Sequence, residues 1–388
     1  MKRLALFLLA VLLPLSAGAL EVRVHPGGKI YLYEVMPQKN LYSAILQNVA
    51  VFNENGRSLT IDGIAIEAIR DGAVRDALFL GAEDLERSTG RMAKLRDAGL
   101  LKIYDFALQT SRYLPEDVAI AGARTIANKE AVIVGQAALL LHGVPQTIRV
   151  TATGHDADGR EVRAEVSLEA VDHHSPNSYR FPLRGNWFIA AGPNFEGHHR
   201  WATSQEFALD IIRTGGEHGL THSGDGAKME EYYAFDAEVV AVADGVVADV
   251  QDRIADDPAI LQKKGESDEA YLERSAAWQM NLLVESPRAI GGNFVVVRHE
   301  GGEHSLYGHL KNGSVAVKKS DKVTRGQIIG RLGGSGNSTE PHLHFHMAEG
   351  PDPLYSRGIP VRFENVSVID HGSEPLQLQG GWMVDSGK

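Results

Sequence analysis

The sequence contains no cysteine, and that absence removes several chemistries at once. No disulfide can staple the fold, no lipobox cysteine can anchor it, and no thiol can act as a nucleophile. Any zinc site must therefore be built from His, Asp or Glu. The chain also lacks a Ser-x-x-Lys of the penicillin-binding type, which leaves a serine route poorly supported. Long apolar runs are scarce too. One runs from Leu4 to Leu13, behind Lys2 and Arg3 and ahead of the small residues Ala17-Gly18-Ala19, which is the arrangement of a secretory signal. The expectation is an exported protein, periplasmic or secreted, cut near Ala19 and without a membrane span in its mature form. Positive charge is in deficit: the formal charge of -11 becomes -13 once Lys2 and Arg3 are removed. A net negative export product is a poor partner for nucleic acid, whose binding rests on Lys and Arg neutralising phosphates.

The 388 residues, 43% hydrophobic and 23% charged, suit globular structure and a prior of two domains. Val49, Val51, Leu59, Ile61, Ile64 and Ile66 alternate around the turn dipeptide Asn55-Gly56, and a second hairpin pattern turns at Asp158-Gly159. Between them Ala82 to Leu101 reads as amphipathic helix broken near Gly90. Residues 20–177 are thus expected to form a β-sandwich-like accessory domain, following a signal at 1–19. His173 to Arg184, around Ser175-Pro176-Asn177-Ser178, reads as a linker. Val239 to Val250 reads as a buried strand pair turning at Asp244-Gly245. Residues 252–286 read as a helical insertion, more a surface decoration than the wall of a groove, and 364–388 as a loosely ordered tail. The fold class expected is all-β dominated, with helical insertions.

The chemistry gathers around Gly326–Met347. Here a Gly/Ser/Asn loop sits between apolar stretches, and Pro341 leads into His342-Leu343-His344-Phe345. On a strand His342 and His344 face the same way, roughly 6–7 Å apart. His346 continues the alternation, and the plain alternative is a water-facing edge rich in histidine. Asp210 lies inside the apolar strand Phe207–Ile212, where a carboxylate needs a partner, a hydrogen bond or a cation; an exposed edge position is the other option. Tyr307 and His309 are expected to share a face, opposite Leu306 and Leu310. Two look-alikes are set aside. His299-Glu300-Gly301-Gly302-Glu303-His304 is one residue too long for a helical His-Glu-x-x-His site and reads as a turn. His222-Ser223-Gly224-Asp225 has no apolar strand to hold it.

In order, Asp210, Ala-Asp-Gly-Val-Val at 243–247, Tyr-Gly-His-Leu at 307–310, Gly-Gln-Ile-Ile-Gly at 326–330 and Pro-His-Leu-His-Phe at 341–345 resemble the lysostaphin/LytM-type zinc endopeptidases, metallopeptidase family 23. The resemblance covers about 186–363 and implies an antiparallel β peptidase domain with a groove across a zinc ion. It implies Asp210 and His344 as zinc ligands, and His309 and His342 as the residues that act on water and substrate, with Tyr307 as an extra substrate or oxyanion contact. The commonest pattern has its first zinc histidine at the position of Glu206. The ligand here is then expected from upstream: His199, with His198 as the alternative and Glu206 as a third, as in members reading Gln-x-Phe-Ala-x-Asp. The implied activity is hydrolysis of peptidoglycan stem-peptide cross-links. A catalytically idle LytM-type regulator that activates a cell-wall hydrolase, and a secreted zinc peptidase on protein substrates, remain as alternatives. A protein partner could dock through the N-terminal domain.

Overall fold

This computed structural model describes residues 20–216, 219–369, 372 and 376–387, so the expected export segment, 1–19, lies outside them. Side chains of the strand Leu41–Asn53 alternate between two apolar surroundings. Val49 and Val51 enter one core, Ala50 and Phe52 another, which is why 49–52 reads as an unbroken apolar run. The first core lies between two sheets. One is ordered Leu20–His25, Leu41–Asn53, Glu130–His142, Ala119–Ile120; the other Lys29–Tyr31, Glu161–Val171, Thr147–Asp156, Leu59–Arg70, Ala73–Leu80. Ile61 and Ile64 both face this core because the register slips between Thr153 and Gly154 and Asp62 bulges out. The helix Ala82–Asp97 covers the outer face of the first sheet and runs straight through Gly90. The expected break is absent because a mid-helix glycine costs only ~1 kcal/mol, less than burying Leu85 and Met92 on either side returns.

The second core is organised by a mainly antiparallel sheet. Its order is Lys322–Val323, Gly245–Gln251, Asn293–Arg298, His304–Leu310, Leu343–Ala348, Leu209–Ile212, Asn186–Ala191, Met383–Asp385, Ser367–Val368. Asp244-Gly245 does not close a hairpin. Glu238–Val240 pairs with Ile328–Arg331, whereas Gly245–Gln251 pairs with Asn293–Arg298, so the buried residues Ala241–Ala243 carry the chain from one sheet to the other. Nor are the described residues of the final strand loose. Met383–Asp385 pairs with Asn186–Ala191 and buries Val384, covering an edge that would otherwise stand open. The insertion carries the helix Asp268–Glu285, capped by Ser267, while the Asp257-Pro258 start is a short 3-10 turn.

The two β regions are fastened together rather than joined by a free linker. Tyr31 and Tyr33 belong to the second core. Glu303, in the turn set aside above, accepts hydrogen bonds from His173 Nε2 at 2.8 Å and from Ser175, Asn177 and Tyr179, pinning the expected linker. Burial alone would raise the Glu303 pKa, but these donors outweigh it and bring it down to about 2. Arg200 is buried and ion-paired with buried Glu206 at 3.1 Å. It also donates to the carbonyls of Asn194 and Phe195 and to Ser43 Oγ, while Gln47 Nε2 donates to the Arg200 carbonyl at 2.9 Å. Ser43 and Gln47 lie in Leu41–Asn53, so the first β region grips the turn that contains His199.

Three outcomes are expected. Glu206→Gln leaves a buried guanidinium charge unpaired and should cost about 3–5 kcal/mol in urea unfolding. Glu364→Gln, which breaks the exposed pair with Arg325, should cost at most ~1 kcal/mol. Glu303 has a folded pKa below its unfolded value of ~4.3, so its contribution is present above that pH and lost as pH falls toward about 2. Stability measured between those limits should fall more shallowly in Glu303→Gln than in the unaltered chain.

Candidate metal and catalytic site

Three strands and one turn converge on a single carboxylate. Asp210, in Leu209–Ile212, stands in register with His344 of Leu343–Ala348, and His344 with Gly308 of the next strand. Leu209, Phe345 and Tyr307 occupy the opposite, core-facing side of the same strands. His344 Nδ1 lies 2.9 Å from Asp210 Oδ1, and His199 Nε2 lies 2.8 Å from Oδ2. His342 Nε2 is 3.6 Å from Oδ1. Burial would raise the Asp210 pKa, but His199, His342 and His344 hold it well below the usual carboxylate range. The ligand atoms of His199, Asp210 and His344 all lie within 4.8 Å of one another. Two imidazole nitrogens and a carboxylate oxygen form a donor set that fits a divalent metal and resembles three-ligand catalytic sites with one position left open.

The remaining histidines are oriented by carbonyl groups. His309 Nδ1 donates to the Ser335 carbonyl at 2.8 Å, and His342 Nδ1 to the Glu340 carbonyl at 2.8 Å. A carbonyl only accepts, so each Nδ1 carries a proton, and in the neutral ring Nε2 is the nitrogen with the lone pair. His344 Nε2 is 3.1 Å from His346 Nδ1, the partner that fixes the ring whose other nitrogen faces Asp210. Burial pushes His309 and His346 well below the ordinary imidazole range, and His344 below it, so all three are neutral at pH 7.

Tyr307 is not part of the site. Its buried hydroxyl accepts from the Val242 amide at 2.9 Å and from Ser305 Oγ, on the core side. The expectation that it shares a face with His309 fails because His309 has a left-handed backbone (φ 58°) and sits in a bulge opposite Asn293–Val295. The bulge reverses the side-chain alternation and turns His309 into the cleft. Ser335 holds it there: Gly292, at φ 62°, packs so closely that a Cβ would lie 2.3 Å from the Ser335 carbonyl oxygen. Glu206, the third ligand option, is committed to Arg200. His198 shares the 3-10 turn of His199, and its side chain is outside those described. His222 is half-buried and bonds the Gly224 carbonyl.

The site floors a cleft of about 380 Å³. Its walls include Phe106 and Trp201, edge-to-face at 5.7 Å, Asn337 and Thr339 of the Gly-rich loop, and Gln279 of the inserted helix. The insertion therefore walls the groove instead of merely decorating the surface. Sequence reading missed Phe106 and Gln279, which come from remote segments with no local signal. Trp201 could have been flagged by its position beside the His198-His199 pair.

Residues 231–355 match the family described as Peptidase family M23; His309, His342 and His344 fall inside that segment, His199 and Asp210 upstream. The chain is similar to Peptidoglycan DD-endopeptidase ShyA of Vibrio cholerae serotype O1, 38% identical over 84 residues, 22% of this chain and 17% of that protein. It is also similar to DD-carboxypeptidase/endopeptidase Mpg of Neisseria meningitidis serogroup B, 40% identical over 88 residues, 23% of this chain and 20% of that protein. The matched stretches thus span a fifth or less of these relatives' length. A zinc containing peptidase from Vibrio cholerae aligns over 83% of this chain and 80% of its own, at 14% identity and a TM-score of 0.27, which is too low to carry an argument. With the sequence match, the ordered motifs and the His/Asp cluster in hand, residues 231–355 are identified as a Peptidase family M23 segment of this chain.

Proposed function

We propose that the protein is an exported zinc endopeptidase that hydrolyses peptide bonds in the stem-peptide cross-links of peptidoglycan, with 186–363 as its catalytic unit. The observation that carries this reading is the convergence of His199, Asp210 and His344 within 4.8 Å, in a cleft that His309 and His342 also line. Its similarity to proteins named DD-endopeptidases supports the substrate class. Among the described residues no helix is long and apolar enough to cross a membrane.

His199, Asp210 and His344 would hold the zinc. When bound, such an ion supplies Lewis acidity, polarising a scissile carbonyl and acidifying water toward ~7. His309 and His342 share the proton work. A lone pair at Nε2 takes the proton of the attacking water as the new C–O bond forms; the same imidazolium returns it to the amine nitrogen as the C–N bond breaks. Hydrogen bonds from Nδ1 to the Ser335 and Glu340 carbonyls keep each ring in the tautomer this requires. Asp210 also orients His344 and His199 before any ligand arrives.

The test is zinc content together with digestion of purified cross-linked muropeptides. The unaltered chain should bind one zinc and cleave; His344→Ala should lose both. His309→Ala should keep its zinc and lose about 10²–10⁴-fold in kcat. A zinc-free chain that cleaves nothing would favour a regulator of another cell-wall hydrolase. Cleavage of proteins but not muropeptides would favour a protein-directed peptidase.

A further inference from the structure

A second cavity, of about 330 Å³, opens where the two β regions meet, and its lining includes Lys29, Arg112, Thr203, Glu349 and Arg357. Arg357 is only 8% exposed. Its guanidinium lies 4.7 Å from the Tyr31 ring and its Nε has no hydrogen-bond partner, while Glu349 feels its charge without forming an ion pair with it. Burying a charge without a counter-charge is costly, and a bound anion would remove that cost. Arg112, exposed at the rim, lies over the Tyr355 ring at 5.1 Å and makes one long contact, 3.4 Å, to the Tyr355 carbonyl.

Other groups around the cavity offset these charges only in part. Glu349, the one carboxylate in the lining, is taken by Lys29 at 2.9 Å and by the Tyr31 hydroxyl at 2.7 Å. Glu349 thus answers Lys29 and, in part, Arg357, and Asp105 offsets the rim, so the three cations of the lining still exceed these two carboxylates. Asp105, behind the rim, is bonded by Thr110 and Ser111. His25 bonds Gln109 Oε1 at 2.9 Å; burial, reinforced by Arg112 and Arg357, keeps it neutral at pH 7. The buried Thr203 hydroxyl, a further donor in the lining, has no partner either.

We infer that this cavity is an oxyanion-binding site, in which Arg357 grips a carboxylate or phosphate group and Arg112 closes over it. A planar guanidinium suits such groups because two parallel N–H donors meet two oxygens. Walls from both β regions make the occupant a clamp between them, and Thr203 is four residues from His199. The site stands apart from the metal cluster and does not depend on the hydrolase reading.

The experiment is calorimetric titration of the full chain with inorganic phosphate and, separately, with N-acetyl-D-alanine, at low salt. One-site saturable binding of at least one probe is expected, and the tighter probe identifies the source as phosphate or peptide carboxylate. Arg357→Gln should weaken that binding at least tenfold, Arg112→Gln several-fold, and His344→Ala not at all. If Arg357→Gln does not fold, Arg112→Gln decides the matter. The inference is overturned if neither probe saturates, if the arginine variants bind as the unaltered chain does, or if His344→Ala abolishes binding.

Discussion

A single, largely enclosed carboxylate organises the catalytic region. Asp210 sits where an apolar strand would ordinarily place another aliphatic residue, and its charge is tolerated because His199, His342 and His344 surround it. Each of those histidines is fixed from behind: His342 by the Glu340 carbonyl, His344 by His346, and His199 by the anchored turn in which it lies. The cluster is therefore oriented by protein contacts before a metal or substrate is considered. That order of construction matters, because a site held within fractions of an ångström by its supporting shell spends no binding energy on assembling itself.

The first β region takes part in that support. Ser43 and Gln47 hold Arg200, Arg200 holds Glu206, and His199 sits beside Arg200 in the turn they anchor. Phe106, from the same region, reaches the cleft wall beside Trp201. A segment that looked like a spacer is thus mechanically continuous with the site. The Glu303 cluster serves the same end at the other side of the junction, where it removes the slack a Ser-Pro-Asn linker would have had.

Much of this was legible in the chain, and the failures have identifiable causes. Strand dominance followed from period-two patterns, and the common face of His342 and His344 followed from the same rule. Tyr307 was misplaced because a bulge at His309 reversed that rule, and nothing in Tyr-Gly-His-Leu announces a left-handed histidine. Glu206 looked like a ligand because a carboxylate at a ligand position has the right chemistry; its partner Arg200 becomes apparent only when both are buried together. The final strand, Met383–Asp385, was hidden by its shortness and by the polar residues before it. Burial of Val384 comes from pairing with a distant edge, which is a tertiary effect that local pattern does not encode.

The central claim is that His199, and not a neighbour, completes the metal site with Asp210 and His344. X-ray absorption at the zinc edge of the purified, zinc-loaded chain tests it most directly. The account predicts two imidazole nitrogens at about 2.0–2.1 Å with oxygen ligands beside them, and one imidazole fewer in His199→Ala. An unchanged imidazole count in that variant would contradict it.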